Sequence, residues 1–251
     1  MSSWSGKRKS IYATIVVVLA LVGLWALVFY VFYKPPTCFD GLKNGDEQGV
    51  DCGGSCTKLC QTGFLSPYIE WTRFKEIAPG LYNIAAYIVN PNTRGTAKGV
   101  AYHIQVLDSQ GIPIRDLNDV TGIPPGRNTL VFVGSVKIGP QTPAKAFLEF
   151  TSAPDWTLLN DPLATLSVID KKYIENDTDS SLTVTIANGG ALPIDNVTVY
   201  AVLKDANGNV LDFSKTLIDR IPANGSALAP FTWPTSHGSA VVSIEVLPVA
   251  E

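Results

Sequence analysis

From Ile11 to Tyr33 the chain reads IYATIVVVLALVGLWALVFYVFY, twenty-three residues without one charged side chain. At ~1.5 Å of rise per residue a helix of that length reaches about 35 Å, enough to cross a hydrocarbon core of about 30 Å with some tilt. Inside lipid only a helix satisfies every backbone N–H and C=O of a single segment, so the β-branched Ile15, Val16, Val17 and Val18 do not argue for a strand. The stretch predicts a transmembrane helix, with Trp25, Tyr12, Tyr30 and Tyr33 as anchors towards the membrane interfaces. Its rival is a buried core helix of a soluble protein.

The flanks set the expected orientation. Lys7, Arg8 and Lys9 sit directly before the apolar run and only Lys34 follows it closely, so the positive-inside bias keeps residues 1–10 in the cytoplasm and everything after Lys34 outside. A cleavable signal peptide would have a shorter apolar region, of about 7–15 residues, ending in small side chains. Here the run ends Phe29-Tyr30-Val31-Phe32-Tyr33-Lys34-Pro35-Pro36, and Pro35-Pro36-Thr37 before Cys38 is no lipoprotein cleavage box. An uncleaved signal-anchor in the cell membrane is the expectation.

The 251 residues less the tail and the span leave 218, room for two ordinary domains and a small module. The whole chain carries a net charge of −3, and without Lys7, Arg8 and Lys9 the outer part carries −6. An acidic ectodomain without clustered Lys and Arg is a poor nucleic-acid binder.

All four cysteines fall between positions 38 and 60, in PTCFDGLKNGDEQGVDCGGSCTKLC. So small and polar a segment cannot close a core by burial alone, and in an oxidising compartment Cys38, Cys52, Cys56 and Cys60 read as one local disulfide framework. Three pairings exist; closing the longer loop from Cys38 constrains the unfolded chain most. Asp40, Asn44, Asp46, Glu47 and Asp51, punctuated by Gly41, Gly45 and Gly49, are candidate oxygen ligands for calcium. The EF-hand register is absent, and the competing reading is that these side chains cap turns. A zinc site on Cys52, Cys56 and Cys60 is a third reading, opposed by the compartment and by Gly53-Gly54.

The stretch resembles a short cysteine motif of extracellular bacterial proteins, C-x-D-G-x-x-N-x-x-E-x-G-V-D-C-G-G-x-C. Cys38, Asp40, Gly41, Asn44, Glu47, Gly49, Val50, Asp51, Cys52, Gly53, Gly54 and Cys56 fill every position. The resemblance implies surface location and ion-stabilised structure, not an activity.

Past Gly63 short apolar-alternating runs are separated by Pro, Gly and Asn, the pattern of an all-β sandwich. The two halves repeat. Ile88-Val89-Asn90-Pro91-Asn92 corresponds to Ile186-Ala187-Asn188-Gly189-Gly190, the turn ending at Gly111 to that ending at Gly208, and Ile123-Pro124 to Ile221-Pro222, at separations of 97 or 98 residues. Tyr82, Ile84, Ala86 and Ile88 share one strand face, as do Val100, Tyr102, Ile104 and Val106. In the second copy the matching sets are Leu182, Val184 and Ile186, then Val197, Val199, Ala201 and Leu203. Further strands are expected at Thr129–Val133, Ala146–Phe150, Leu228–Thr232 and Val241–Leu247.

On the Asn90 and Asn188 strand ends, the Gly111 and Gly208 turns and the two Ile-Pro turns, the region resembles CARDB and FxLYD-type modules, immunoglobulin-like domains of bacterial and archaeal surface proteins. That resemblance implies adhesion, spacing or assembly at a cell surface. The expected division is a tail at 1–10, a transmembrane helix at 11–33, a cysteine-rich module at 34–62 and β-sandwiches at 63–155 and 156–251.

No cluster of acid, base and nucleophile suggests catalysis. His103 alternates with the inward set and should face solvent; His237 lies in a Pro-Thr-Ser-His-Gly-Ser loop without a nucleophile elbow. Asp155, Asp161, Asp177 and Asp179 are read as solvated carboxylates flanking the domain junction. Asn176, Asn196 and Asn224 head N-x-[ST] triplets, glycosylation acceptors only in a host that modifies asparagine outside the cell. The expectation is a membrane-anchored binding or adhesion protein whose partner is another surface protein or a polysaccharide; a structural spacer of an envelope assembly is the alternative.

Overall fold

A computed structural model describes residues 4–33, 35–58, 60, 63–158 and 165–250. Lys34 and Asp161 lie outside the described residues. The chain divides into two compact units, 1–54 and 55–251.

In the first unit, helix α1 (Trp4–Phe32) begins ahead of the apolar run, in the polar stretch that contains Lys7, Arg8 and Lys9. Among the described residues it is the one helix long and apolar enough to cross a membrane. Its large apolar side chains stand exposed along the whole length, Leu19 at 65% and Trp25 at 68% among them, whereas a helix serving a soluble core would hide one stripe. Trp25, Phe29 and Tyr33 stack on successive turns with ring centroids 5.6 and 4.6 Å apart. Residues 35–54 make turns rather than helices or strands.

All four cysteines are disulfide-bonded and none is free, as the spacing predicts for an oxidising compartment. The division between the two units falls after Gly54, inside the stretch 34–62 expected as the cysteine-rich module. Within the second unit Cys56 is buried, Thr57 accepts the Leu158 N–H at 2.8 Å, and Lys58 forms a bridge with Thr157.

The regular structure of the second unit is β among its described residues, with 3-10 conformation at Gly63 and in the turn Gly238–Ala240. Its first seven strands are β1 (Tyr68–Ala78), β2 (Leu81–Val89), β3 (Gly95–Leu107), β4 (Pro113–Ile123), β5 (Thr129–Lys137), β6 (Lys145–Phe150) and β7 (Trp156–Leu158). The other six are β8 (Leu166–Glu175), β9 (Ser180–Asn188), β10 (Ile194–Lys204), β11 (Val210–Ile221), β12 (Ser226–Trp233) and β13 (Ser243–Ala250). They form four antiparallel sheets, β1-β2-β5, β4-β3-β6, β8-β9-β12 and β11-β10-β13, with the short β7 paired to β3.

The first two sheets face each other over Ile84, Ile88, Ile104, Val106, Val131 and Leu148, and the last two over Leu182, Val184, Val199, Leu203, Ile221 and Phe231. Each pair is sandwich-like, and the wiring repeats: strands one, two and five in one sheet, four, three and six in the other. The matching turns repeat atom for atom. Asn90 Nδ2 donates to the Pro124 carbonyl at 2.7 Å and Asn188 Nδ2 to the Pro222 carbonyl at 3.2 Å, tying a strand end to the Ile-Pro turn in each copy. Asp108 Oδ1 accepts the N–H of Gln110 and Ile112, as Asp205 Oδ1 accepts those of Asn207 and Asn209. Gly111 and Gly208 both sit at φ +80°, where a side chain would be strained.

Alternation accounts for only one face of the central strands. Ala85 and Tyr87, which alternate with the inward residues of β2, are buried too. They join Leu130, Val202 and Phe213, with Trp71, Phe132, Tyr200 and Leu247 packed around, in an apolar seam between the β1-β2-β5 and β11-β10-β13 sheets. The four sheets are therefore stacked in one body, with the middle two buried on both faces. Aromatic contacts run across the seam, from Trp71 to Phe213 at 6.3 Å and from Phe132 to Phe213 at 6.1 Å. Polar contacts close its sides. The Tyr87 hydroxyl donates to Glu245 Oε1 at 2.6 Å, Glu245 Oε2 takes Lys204 Nζ at 2.7 Å, and Lys75 Nζ approaches Asp212 at 3.8 Å. Burial and the Glu245 carboxylate push the Tyr87 hydroxyl's pKa far up, so it remains a neutral donor.

Trp156, the first residue after the boundary expected from sequence, pairs with Ala97 of β3 and is buried with Val100 and Ile123. Phe213→Ala, at a side chain 2% exposed in the seam, should cost about 3–5 kcal/mol. Because the seam joins the two halves, denaturant unfolding of the wild type followed by fluorescence and by circular dichroism should show one coincident transition, and the variant one at lower midpoint.

Candidate functional site

Four places in the two units gather polar or titratable groups. In the first unit, the loop proposed from sequence does come together. Asp51 Oδ1 accepts the N–H of Asp40 at 2.9 Å and of Gly41 at 3.1 Å, and its Oδ2 accepts Gly41 N–H at 3.0 Å. Asp40 accepts from Leu42 N–H, Thr37 N–H and Asn44 Nδ2, and Glu47 Oε2 accepts from Asn44 and Asp51 N–H. The carboxylates thus tie down main-chain donors of a loop that has no sheet or helix to satisfy them. Asn44 Oδ1 is buried without a hydrogen-bond partner. Asp46 presents its main-chain carbonyl to Gly54, where an added Cβ would come within 2.0 Å, so only glycine fits. All four cysteine sulfurs being oxidised, they offer no thiolates to zinc.

The second place is the outer face of the β4-β3-β6 sheet. His103 points outward as its alternation predicts, and lies between two carboxylates on the neighbouring strands. Nε2 is 2.8 Å from Asp116 and Nδ1 3.4 Å from Glu149. Hydrogen bonds to Asp116 and Glu149 raise the imidazole's pKa above its usual value, and Gln105 and His103 lower that of Asp116.

The third lies at the end of the β8-β9-β12 sheet, around the Thr235–Ala240 loop. His237 is not a solvated loop side chain: only 5% of it is exposed. Its Nε2 is 3.0 Å from Asp212 Oδ2 and its Nδ1 3.1 Å from Ser180 Oγ. Serine, histidine and aspartate therefore meet here, drawn from β9, the loop and β11. Ser180 and Asp212 are 1% and 3% exposed, and the Ser180 hydroxyl also reaches the Thr235 carbonyl. The hydroxyl is enclosed, and the three side chains pack together as a buried polar cluster. Burial raises the Asp212 pKa, against the Phe213 N–H, Lys75 and His237, which lower it.

Ser236 and Ser239, the hydroxyls next to His237 in sequence, are not its partners. Ser236 donates instead to Glu175 Oε1 at 2.6 Å, which also accepts the N–H groups of His237 and Gly238 at 2.5 and 2.9 Å, while the Tyr173 hydroxyl donates to Glu175 Oε2. These bonds to the ionised form, Ser236 and Tyr173 foremost, hold the Glu175 carboxyl down at about 2. No local sequence signal announces this hub, because its members come from two segments, β8 and the loop after β12, whose bonded residues are 61 to 63 positions apart.

The fourth is an open cleft of about 660 Å³ between the two stacked halves, bordered by the ends of β3 and β4, by β5, and by β10, β11 and β13. None of its residues stands out in the sequence as a site. Of the remaining carboxylates considered above, Asp155 pairs with Lys58 at 3.4 Å. Asp177 and Asp179 lie in the β8–β9 hairpin turn, where Asn176 Nδ2 donates to Asp179.

No protein-family model matches the chain, and no curated protein matches it. Among solved structures, a beta-glucuronidase from glycoside hydrolase family 2 aligns with 68% of this chain and 24% of its own, at 12% identity and a TM-score of 0.22. A putative beta-galactosidase from Bacteroides fragilis aligns with 68% of this chain and 33% of its own, at 12% identity and a TM-score of 0.20. The CBM22-1-CBM22-2 tandem domain of Paenibacillus barcinonensis Xyn10C covers 74% of this chain and 86% of its own, at 6% identity and a TM-score of 0.15. The chain spans a third or less of the two enzymes' length, and likenesses at these TM-scores carry no argument about function.

The Glu175 hub predicts an acid-labile contribution to stability. A carboxyl held near 2 when folded and near 4.5 when unfolded favours the folded state fully above about 4.5, and that contribution disappears as pH falls towards 2. Urea midpoints measured through this window should fall further for the wild type than for Glu175→Gln; equal falls would remove the hub from the acid response.

Proposed function

We propose that the chain is a single-pass membrane protein with its N-terminus in the cytoplasm, holding two immunoglobulin-type sandwiches outside the cell as a non-catalytic binding or adhesion body. The observation that carries the reading is α1, whose apolar surface is exposed over the full length of a bilayer crossing. Two further facts support it. The four oxidised cysteines suit an oxidising compartment. The repeated one-two-five and four-three-six strand wiring suits a tandem of like β units. The partner class that fits is another surface protein or a polysaccharide.

The non-catalytic part of the reading rests on the enclosure of Ser180, His237 and Asp212, since a nucleophile must meet its substrate. A structural spacer subunit is the second reading, favoured by the apolar seam, which makes the two β halves one stiff body rather than beads on a flexible tether. Purification from membranes separates the two: a spacer comes out with neighbours in fixed stoichiometry, an adhesion protein comes out alone.

Protease added to intact cells should remove an epitope placed at the C-terminus and spare one placed at the N-terminus. Protection of both ends, or recovery of the mature chain in the medium beginning near residue 35, would overturn the topology.

For the loop at 40–51 we favour turn capping, because Asp40, Glu47 and Asp51 are already committed to main-chain N–H groups. Calcium is the competing occupant, and the unpartnered Asn44 Oδ1 is the oxygen it would recruit first. Capping predicts the same melting temperature for the full-length protein in calcium and in chelator; a rise with calcium that Asn44→Ala abolishes would establish the ion.

A further inference from the structure

The cleft between the β halves combines groups that a purely structural gap does not need. Two cations, Lys98 and Lys215, and one carboxylate, Asp119, line it together with the rings of Tyr102, Phe132 and Tyr200. Lys98 and Lys215 are exposed, and neither has a carboxylate partner among the described residues. Lys215 Nζ lies 6.0 Å over the Phe132 ring, which also lines the cleft. Among the described residues Asp119 accepts a hydrogen bond from the N–H of the next residue, Val120, at 2.8 Å.

Tyr102 is the second, independent observation. It is 4% exposed, its ring belongs to the core of the first sandwich-like pair, and its hydroxyl makes no hydrogen bond among the described residues. The ring is buried while the hydroxyl opens onto the cleft, so it is free to donate to a group that enters from outside. Burial and the Asp119 charge push the hydroxyl's pKa up to about 12, which keeps it a neutral donor at any physiological pH.

We propose that this cleft binds an acidic polysaccharide, a segment of sugar rings bearing carboxylates, with Lys98 and Lys215 on the carboxylates, Tyr102 and Asp119 on ring hydroxyls, and Phe132 and Tyr200 as apolar walls. The net positive lining selects an anion. Asp119 calls for a ligand that brings hydrogen-bond donors beside its anionic groups, which the hydroxyls around each sugar ring supply and an acidic peptide offers only from its main chain. A volume of about 660 Å³ at the meeting of two β halves is of the size and location usual for ligand sites. The site belongs to the stacked body alone: β3, β4 and β5 supply one side and β10, β11 and β13 the other, so separated halves would have no such cleft.

This inference rests on the surface-binding reading, and its test is independent of the topology experiment. The full-length protein in detergent is titrated calorimetrically with tetragalacturonate, with the neutral maltotetraose and with hexaglutamate. Tetragalacturonate should bind, and both comparison ligands should bind at least about tenfold more weakly. Lys98→Gln with Lys215→Gln should weaken tetragalacturonate about tenfold, and Tyr102→Phe about fivefold, the effect of one lost hydrogen bond. Both changes leave the fold intact by circular dichroism, since the lysines are exposed and the phenyl ring is retained. Absence of tetragalacturonate binding overturns the proposal. So does equal binding of maltotetraose or of hexaglutamate, or binding that neither variant alters. A protein that passes the protease test and fails this one is a surface protein whose partner docks elsewhere.

Discussion

The apolar seam around Phe213, Tyr87 and Val202 is the contact on which the architecture of the β unit depends. A sandwich normally buries one face of each sheet and leaves the other to water. Here β2 and β10 bury both faces, so each of the middle sheets belongs to two cores at once. Loss of the seam would expose Trp71, Tyr87, Phe132, Tyr200 and Phe213 together, a patch of aromatic surface that a soluble body does not tolerate. Glu245 illustrates how the rim is closed, since one carboxylate joins the Tyr87 hydroxyl of the first half to the Lys204 ammonium of the second.

Stacking also decides where chemistry can occur. The cleft lies where the two halves meet, lined by Tyr102 and Asp119 of one half and by Lys215 and Tyr200 of the other. The same geometry seals other polar groups. Asp212 is turned towards His237 and Lys75, away from solvent. A serine, a histidine and an aspartate within hydrogen-bond reach would pass for a triad on distances alone. Enclosure of the hydroxyl shows why accessibility has to be part of that judgement.

Alternation reveals all four central strands but only half of the edges, since β5, β6, β12 and β13 are legible edge strands too. The central strands β2, β3, β9 and β10 are legible from their apolar period. Strands β1, β4, β8 and β11, not expected from the sequence, are all sheet edges. Edge strands carry charges that discourage unwanted pairing, as in Arg73-Phe74-Lys75-Glu76 and Asp170-Lys171-Lys172, and those charges dilute the period. The region after Pro234 behaves likewise: the expected strand at Val241–Leu247 starts only at Ser243, after a 3-10 turn that seats His237.

What the sequence determined by itself is whatever depends on neighbours along the chain. A long uncharged run specifies a bilayer-length helix. Asn90 and Asn188 with their Ile-Pro turns specify a repeated corner, and Asp108 and Asp205 a repeated hairpin, because each is closed by short-range geometry that the residue types dictate. The tertiary structure alone decided that the two halves stack, that Ala85 and Tyr87 are as buried as Ile84 and Ile88, and that Ser180, Asp212 and Glu175 gather about one loop. Those outcomes join residues up to 158 positions apart, and a contact at such a distance leaves no period or spacing in the chain from which it could be read.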